Sequence, residues 1–103
     1  MSAIEDIAAE RKRQVEVEGW DATHDDEHSA GELALAGACY ALAARQRVFM
    51  PGVPLSNAPR TWPWSQEWWK PKDFRRDLVR AAALIAAEIE RYDREVSQQS
   101  EAG

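Results

Sequence analysis

The chain has 103 residues, 45% of them hydrophobic and 30% charged, which sets the expectation of one soluble globular domain with a small core. A formal net charge of −5 argues against a general binder of long nucleic acid, which carries a basic excess. The single cysteine excludes an intramolecular disulfide framework and a cysteine-rich zinc site, and no apolar run approaches the roughly 18 residues of a membrane span.

The spacing of Ile4, Ile7, Ala8, Arg11 and Val15 predicts a helix over residues 3–18 with those side chains on one face. Ser2 is placed to cap it, with Glu5 three residues on, and Gly19 to stop it. Met1–Glu10 has neither the basic stretch nor the apolar core of a secretory leader, so a cytoplasmic location is expected. Residues 19–28 read as a polar connector around Trp20, in which Thr23 or an aspartate caps the next helix. That second helix is expected over residues 27–48. Gly31–Ala44 is nearly all small or apolar, the pattern of a buried helix. Ala34, Gly37, Ala38 and Ala41 are small enough to let another helix approach closely.

Residues 49–72 hold all five prolines and four of the five tryptophans, Trp62, Trp64, Trp68 and Trp69. Proline blocks a continuous helix or central strand, and tryptophans are scarce in disordered segments. A loop held down by its own side chains is therefore expected. A third helix is expected over 73–96, with Phe74, Leu78, Ala81, Ile85, Ile89, Tyr92 and Val96 as its apolar stripe. Asp73 suits its N-terminus, Arg91 and Arg94 suit its C-terminal part, and residues 97–103 read as a flexible tail. Residues 1–32 carry ten acids and three bases, and residues 60–94 carry eight bases and six acids. The two ends can pair within one fold or between subunits. The fold class is thus all-α: a three-helix bundle with a long Trp/Pro-rich loop between helices two and three. Three helices leave apolar surface over, so a homo-oligomer is expected.

Three constellations could carry chemistry. In His24-Asp25-Asp26-Glu27-His28 with Glu32, a helix starting near Asp25 would put Asp25, His28 and Glu32 on one face. Imidazole and carboxylates are fair ligands for a divalent transition metal. The same residues also make an ordinary acidic helix start. Asp73 and Asp77 stand one turn apart, a spacing that can hold magnesium. Asp77 can equally pair with Arg76, Arg80 or a residue on another helix, while Glu88 and Glu90 read as a solvated face. Finally, Trp62, Trp64, Trp68 and Trp69 lead into Lys70, Lys72, Arg75 and Arg76. Indole faces can stack on a nucleobase, and bases beside a helix N-terminus can hold phosphate. The alternative is a tryptophan clamp that pins the loop. Cys39 reads as a packed small hydrophobe, and no nucleophile elbow is present.

Glu10-Arg11-Lys12-Arg13-Gln14, Glu18-Gly19-Trp20, the histidine pair His24 and His28, and Gly31-Glu32-Leu33-Ala34 together resemble a group of small phage and prophage proteins. So do Trp62-Pro63-Trp64, Trp68-Trp69-Lys70-Pro71, and the stretches Arg76–Val79 and Glu88–Arg91. Such proteins are loosely described as MazG-like or dATP/dGTP diphosphohydrolase-like. The resemblance implies an all-helical oligomer in an infected or lysogenic bacterial host. It also implies magnesium or manganese on carboxylates and cleavage of a nucleoside triphosphate to monophosphate and pyrophosphate. The enzymes behind the label put an E-x-x-E pair on one helix and an E/D-x-x-D pair on the next. Asp73 and Asp77 loosely match the second pair. Where the first would stand, the chain reads Ala38-Cys39-Tyr40-Ala41-Leu42-Ala43, and from Gly31 to the end of that helix only Glu32 is acidic.

Three functions follow as expectations. The leading one is a binder of a small anionic ligand, a nucleotide, held by the Trp and Lys/Arg segment and not cleaved. In a phage setting it would sequester a nucleotide signal of the host's antiviral defence. The second is a divergent Mg- or Mn-dependent pyrophosphohydrolase using Asp25, His28, Glu32 and Asp77, with His24 as a further metal ligand. The third is a protein-interaction module built on the Trp-rich loop.

Overall fold

The structure is a computed structural model that describes residues 2–102. It is all-helical, with α1 (Ala3–Glu16), α2 (Ala22–Asp26), α3 (Glu32–Phe49) and α4 (Phe74–Ala102), and one 3-10 turn at Gln66–Trp68. Among the described residues, no helix is long and apolar enough to cross a membrane.

Helices α3 and α4 form the central pair. Ala34 faces Glu88, Gly37 faces Ala81 and Arg47 faces Asp77, so the two run antiparallel. Gly37 marks their closest approach. A Cβ built there would lie 2.9 Å from both the Ala81 carbonyl oxygen and Ile85 Cγ1, so only glycine fits. The core between α3, α4 and the loop is Leu33, Ala36, Cys39, Tyr40, Ala43, Leu84 and Ala87, closed by Trp62 and Trp69.

Helix α1 lies along α4 and is attached by charge. Arg75 meets Asp6 at 2.6 Å, Arg76 meets Glu10, and Glu90 meets Arg11 at 3.2 Å. Arg94 reaches Asp26 at 2.8 Å, so the acidic first third pairs with the basic last third inside one chain. Ser2 caps α1 by accepting the Glu5 N–H at 3.1 Å. After α1, Gly19 takes φ +75° and the Trp20 N–H returns to the Gln14 carbonyl at 2.9 Å.

Several sequence expectations need correction. The face that α1 buries is Glu10 and Gln14, whereas Ile4 is 76% exposed and Val15 is also exposed. Polar side chains are buried there because arginines from α1 and α4 neutralise and hydrogen-bond Glu10. Part of the connector 19–28 is helical: Asp21 caps α2 by accepting the His24 N–H at 3.0 Å. Gly31, at φ +80°, separates α2 from α3, so Asp25, His28 and Glu32 do not share one continuous helix and α3 starts at Glu32 rather than residue 27. Helix α4 runs through residues 97–102 instead of ending at 96. Apart from Ala81, which is buried, its apolar stripe faces outward: Phe74, Leu78, Ile85, Ile89, Tyr92 and Val96 are exposed, and the buried face is Asp77, Ala81, Leu84, Ala87 and Arg91.

The loop from Met50 to Asp73 is held by its tryptophans. The Trp62 indole N–H donates to the Ser65 carbonyl at 3.1 Å and the Trp69 indole N–H to the Leu55 carbonyl at 2.8 Å. Trp69 stacks on Tyr40 with ring centroids 4.8 Å apart. The Tyr40 hydroxyl, in turn, accepts the Lys70 N–H at 3.0 Å. Burial pushes this phenol's pKa up, with the Lys70 N–H opposing.

Candidate functional site: an aromatic cleft

At the end of α1, the chain turns at Gly19 and presents Trp20 beside α2. His24 projects from α2, His28 from the turn after it, and Trp64 and Trp68 from the long loop. These five rings, with Glu18 and Ser65, line an open cleft of about 400 Å³. Trp20 stacks on His24, with centroids 5.8 Å apart and planes 10° apart. Trp20 also meets Trp64 at 5.6 Å and Trp68 at 6.3 Å, and His28 meets Trp64 at 5.4 Å. The histidine rings lie edge to face at 4.8 Å. Lys70 sets its ammonium over the Trp68 ring, 5.5 Å from the centroid.

A charged frame fixes these rings. Arg11 Nη2 donates to Asp25 Oδ2 at 2.6 Å, and Nη1 to the Trp20 carbonyl at 3.1 Å. The other Asp25 oxygen sits 3.1 Å from His24 Nδ1. His28 Nδ1 sits 3.3 Å from Glu32 Oε2, and Glu32 also accepts the Ala30 N–H at 2.6 Å. Burial raises the Glu32 pKa, but these hydrogen bonds outweigh it and leave the carboxyl below its ordinary value. With each Nδ1 facing a carboxylate, both imidazoles are held in one orientation.

Beside the cleft, Arg13 bridges two acids. Its Nε and Nη2 donate to Glu10 at 2.8 and 3.0 Å, and its Nη1 to Glu18 Oε1 at 3.1 Å. The Glu10 hydrogen bond, partly offset by burial, raises the Arg13 pKa further above its already high value. Burial pushes the Glu10 carboxyl up, but the Arg13 hydrogen bond and the charges of Arg76 and Arg13 bring it below its ordinary value. Behind them is a void of about 20 Å³, lined in part by Gln14, Tyr40 and Arg80. Among the described residues, Gln14 Oε1 and Arg80 Nε are buried there without a hydrogen-bond partner.

The residues expected to form the ligand site divide. Trp64 and Trp68 line the cleft, whereas Lys70 lies over the Trp68 ring and lines the small void beside it. Trp62 and Trp69 are core residues, 8% and 6% exposed. Arg75 and Arg76 lie on α1's acids and line a separate cavity of about 430 Å³ with Asp6, Glu10, Arg13 and Asp73. Three arginines meet three acids there, which leaves no cationic excess for an anion. Lys72 is exposed, and its backbone N–H donates to Asp77 Oδ1 at 2.8 Å.

The expected metal ligands do not converge. His24, Asp25, His28 and Glu32 cluster near the start of α3, with Asp25 committed to Arg11. Asp77 is fully buried against Arg47, 3.1 Å away near the end of α3. Glu32 and Arg47 are 15 positions apart on that helix, roughly 22 Å along its axis. Among the described residues, no group of three or more His, Cys, Asp or Glu is arranged to hold a metal ion. Nor is Glu88 a solvated residue: it accepts from Arg91 at 2.6 Å and from the Ala34 N–H at 3.4 Å.

The sequence reading missed Glu18, Trp20, Arg11 and Arg13 as site residues. Trp20 carried a signal, since a tryptophan in a polar connector needs a partner surface. The charged three gave none, because their roles depend on where α2 folds back.

The fold and site define an all-helical protein with a π-walled, charge-framed cleft. No family model, curated protein or solved structure matches the chain.

Proposed function

We propose that the protein binds a nucleotide, stacking its base in the aromatic cleft, and holds it without cleaving it. The single observation that carries this reading is the cleft of about 400 Å³ walled by Trp20, Trp64, Trp68, His24 and His28. Indole faces stack on any base with useful affinity. Lys70, whose ammonium lies over the Trp68 ring just outside the cleft lining, would supply a cation for the phosphate. In the phage setting that the sequence resemblance implies, such a protein would withdraw a nucleotide signal from the host's antiviral defence. The pyrophosphohydrolase reading has less support, because Asp25 and Asp77 are each neutralised by an arginine and stand at different ends of α3.

The test is incubation with linear and cyclic nucleotides plus magnesium and manganese, removal of free ligand, denaturation, and identification of what is released. Intact nucleotide in proportion to protein supports holding. Monophosphate and pyrophosphate beyond one turnover per site would make it an enzyme. Absence of any bound nucleotide overturns the reading.

We further propose that the chain self-associates through α3 and α4. Support comes from two seams at heptad spacing: Leu35, Ala38 and Leu42 on α3, and Leu78, Ile85, Ile89, Tyr92 and Val96 on α4, all exposed. Exposed apolar seams of this length mark interaction surfaces. A second copy would cover them.

A further inference from the structure

Stacking alone does not distinguish one base from another, because every base has a π-face. Discrimination in the cleft falls to its polar groups, Ser65, His24, His28 and Glu18, and among the described residues Glu18 is the one carboxylate lining it. Its side chain is 14% exposed and is oriented by Arg13 Nη1, which occupies Oε1 at 3.1 Å. Arg13 is itself locked by two hydrogen bonds to buried Glu10. Among the described residues only Arg13 hydrogen-bonds Glu18, so Oε2 and part of Oε1 remain as acceptors.

A carboxylate acceptor selects an edge with adjacent donors. Guanine offers N1–H and the N2 amino group side by side, which fit both carboxylate oxygens. Adenine sets the N1 lone pair next to its amino group. Cytosine has the same acceptor beside donor, and uracil has one N–H between two carbonyls. Resting on the stacking reading above, we propose that Glu18 reads the Watson–Crick edge of guanine, and that the cleft is selective for guanine nucleotides. The ligand edge would meet Glu18 while its faces lie against the indoles.

The experiment is a tryptophan-fluorescence titration of the full chain with GMP, IMP and AMP and their triphosphates, repeated on Glu18→Gln. IMP keeps N1–H and lacks the 2-amino group, so GMP to IMP removes one donor; AMP then loses N1–H and carries an amino group at C6 in place of the carbonyl, all without altering the protein. Charge-assisted hydrogen bonds set the expectation that guanine binds at least about tenfold tighter than adenine, with hypoxanthine between. In Glu18→Gln, checked for folding by circular dichroism, the preference collapses. Equal binding of guanine and adenine nucleotides, or a preference that survives in Glu18→Gln, overturns the role of Glu18 and leaves base stacking standing. No response to any of the six ligands overturns both.

Discussion

Arg11 and Asp25 meet at 2.6 Å, and the same ion pair fixes two walls of the cleft. Through Nη1, Arg11 holds the Trp20 carbonyl, and through its second oxygen Asp25 holds His24. Asp25 is 1% exposed, so its charge depends on Arg11 for compensation. It is a framing residue of the cleft. Asp25→Ala is expected to cost roughly 2–4 kcal/mol, since it leaves Arg11 only the exposed Glu90 as counter-charge and frees His24. A urea melt checks the first effect. A loss of nucleotide-induced fluorescence change, in protein still folded, checks the second. A variant as stable as the parent would refute the framing role.

The tryptophans separate into two kinds, and substitution should separate them too. Trp69 is 6% exposed and stacked on Tyr40, so Trp69→Ala should lower stability by roughly 3–5 kcal/mol. Trp68 is 38% exposed, and Trp68→Ala should cost only about 1 kcal/mol while weakening nucleotide binding. Thermal melts with and without ligand read both quantities. Binding unchanged in Trp68→Ala would place the ligand elsewhere.

Glu10 makes the protein acid-sensitive in a defined direction. Its carboxyl lies below the ordinary value of 4.5 in the folded chain, because Arg13 and Arg76 outweigh burial. The unfolded chain therefore binds this proton first as pH falls. The stability it contributes is complete above the ordinary carboxylate value and is lost as pH drops through the lower folded-state value. Urea unfolding at pH 7, 4 and 3 should show a steep loss below pH of about 4.5, and Glu10→Gln, already weaker at pH 7, should show a shallower one. Parallel pH profiles for the two proteins would exclude Glu10 as a contributor.

The seams on α3 and α4 predict an assembly that charge can break. Leu42 is 63% exposed and Ile89 56% exposed, so glutamate at either position disturbs little inside one chain, within about 0.5 kcal/mol. In sedimentation, the parent should have a mass above that of one chain, and Leu42→Glu with Ile89→Glu should return it to 11.6 kDa. A monomeric parent would end the proposal.

Helical periodicity located the three long helices, with ends off by up to six residues, but misplaced what α1 and α4 bury. The α4 stripe is the most regular in the chain, yet apart from Ala81 it faces outward, because α3 and α1 pack against the face bearing Asp77, Leu84 and Arg91. Periodicity reports an amphipathic face and not its partner. For α1 the error is of the opposite kind, since Glu10 and Gln14 are buried and look solvated in the sequence. Long-range pairing with Arg76, 66 positions away, makes that burial affordable and has no local signature. The cleft was half legible. Trp64 and Trp68 stood out by composition, but their meeting with Trp20 and His28 depends on the turn at Gly31 that separates α2 from α3.

Gly37 offers the most direct test of the helix pairing. A Cβ there would lie 2.9 Å from the backbone oxygen of Ala81, which has no rotamer by which to move aside. It would lie equally close to Ile85 Cγ1, so α4 itself must shift. Alanine is ordinarily a gain of up to about 1 kcal/mol over glycine within a helix. Here the steric term wins, and Gly37→Ala should destabilise by roughly 1–3 kcal/mol, with Gly37→Val worse. The displacement would also move Ile85 in the exposed seam, so self-association should weaken in the same variant. A stabilised Gly37→Ala protein would mean that α3 and α4 are farther apart than the structure places them.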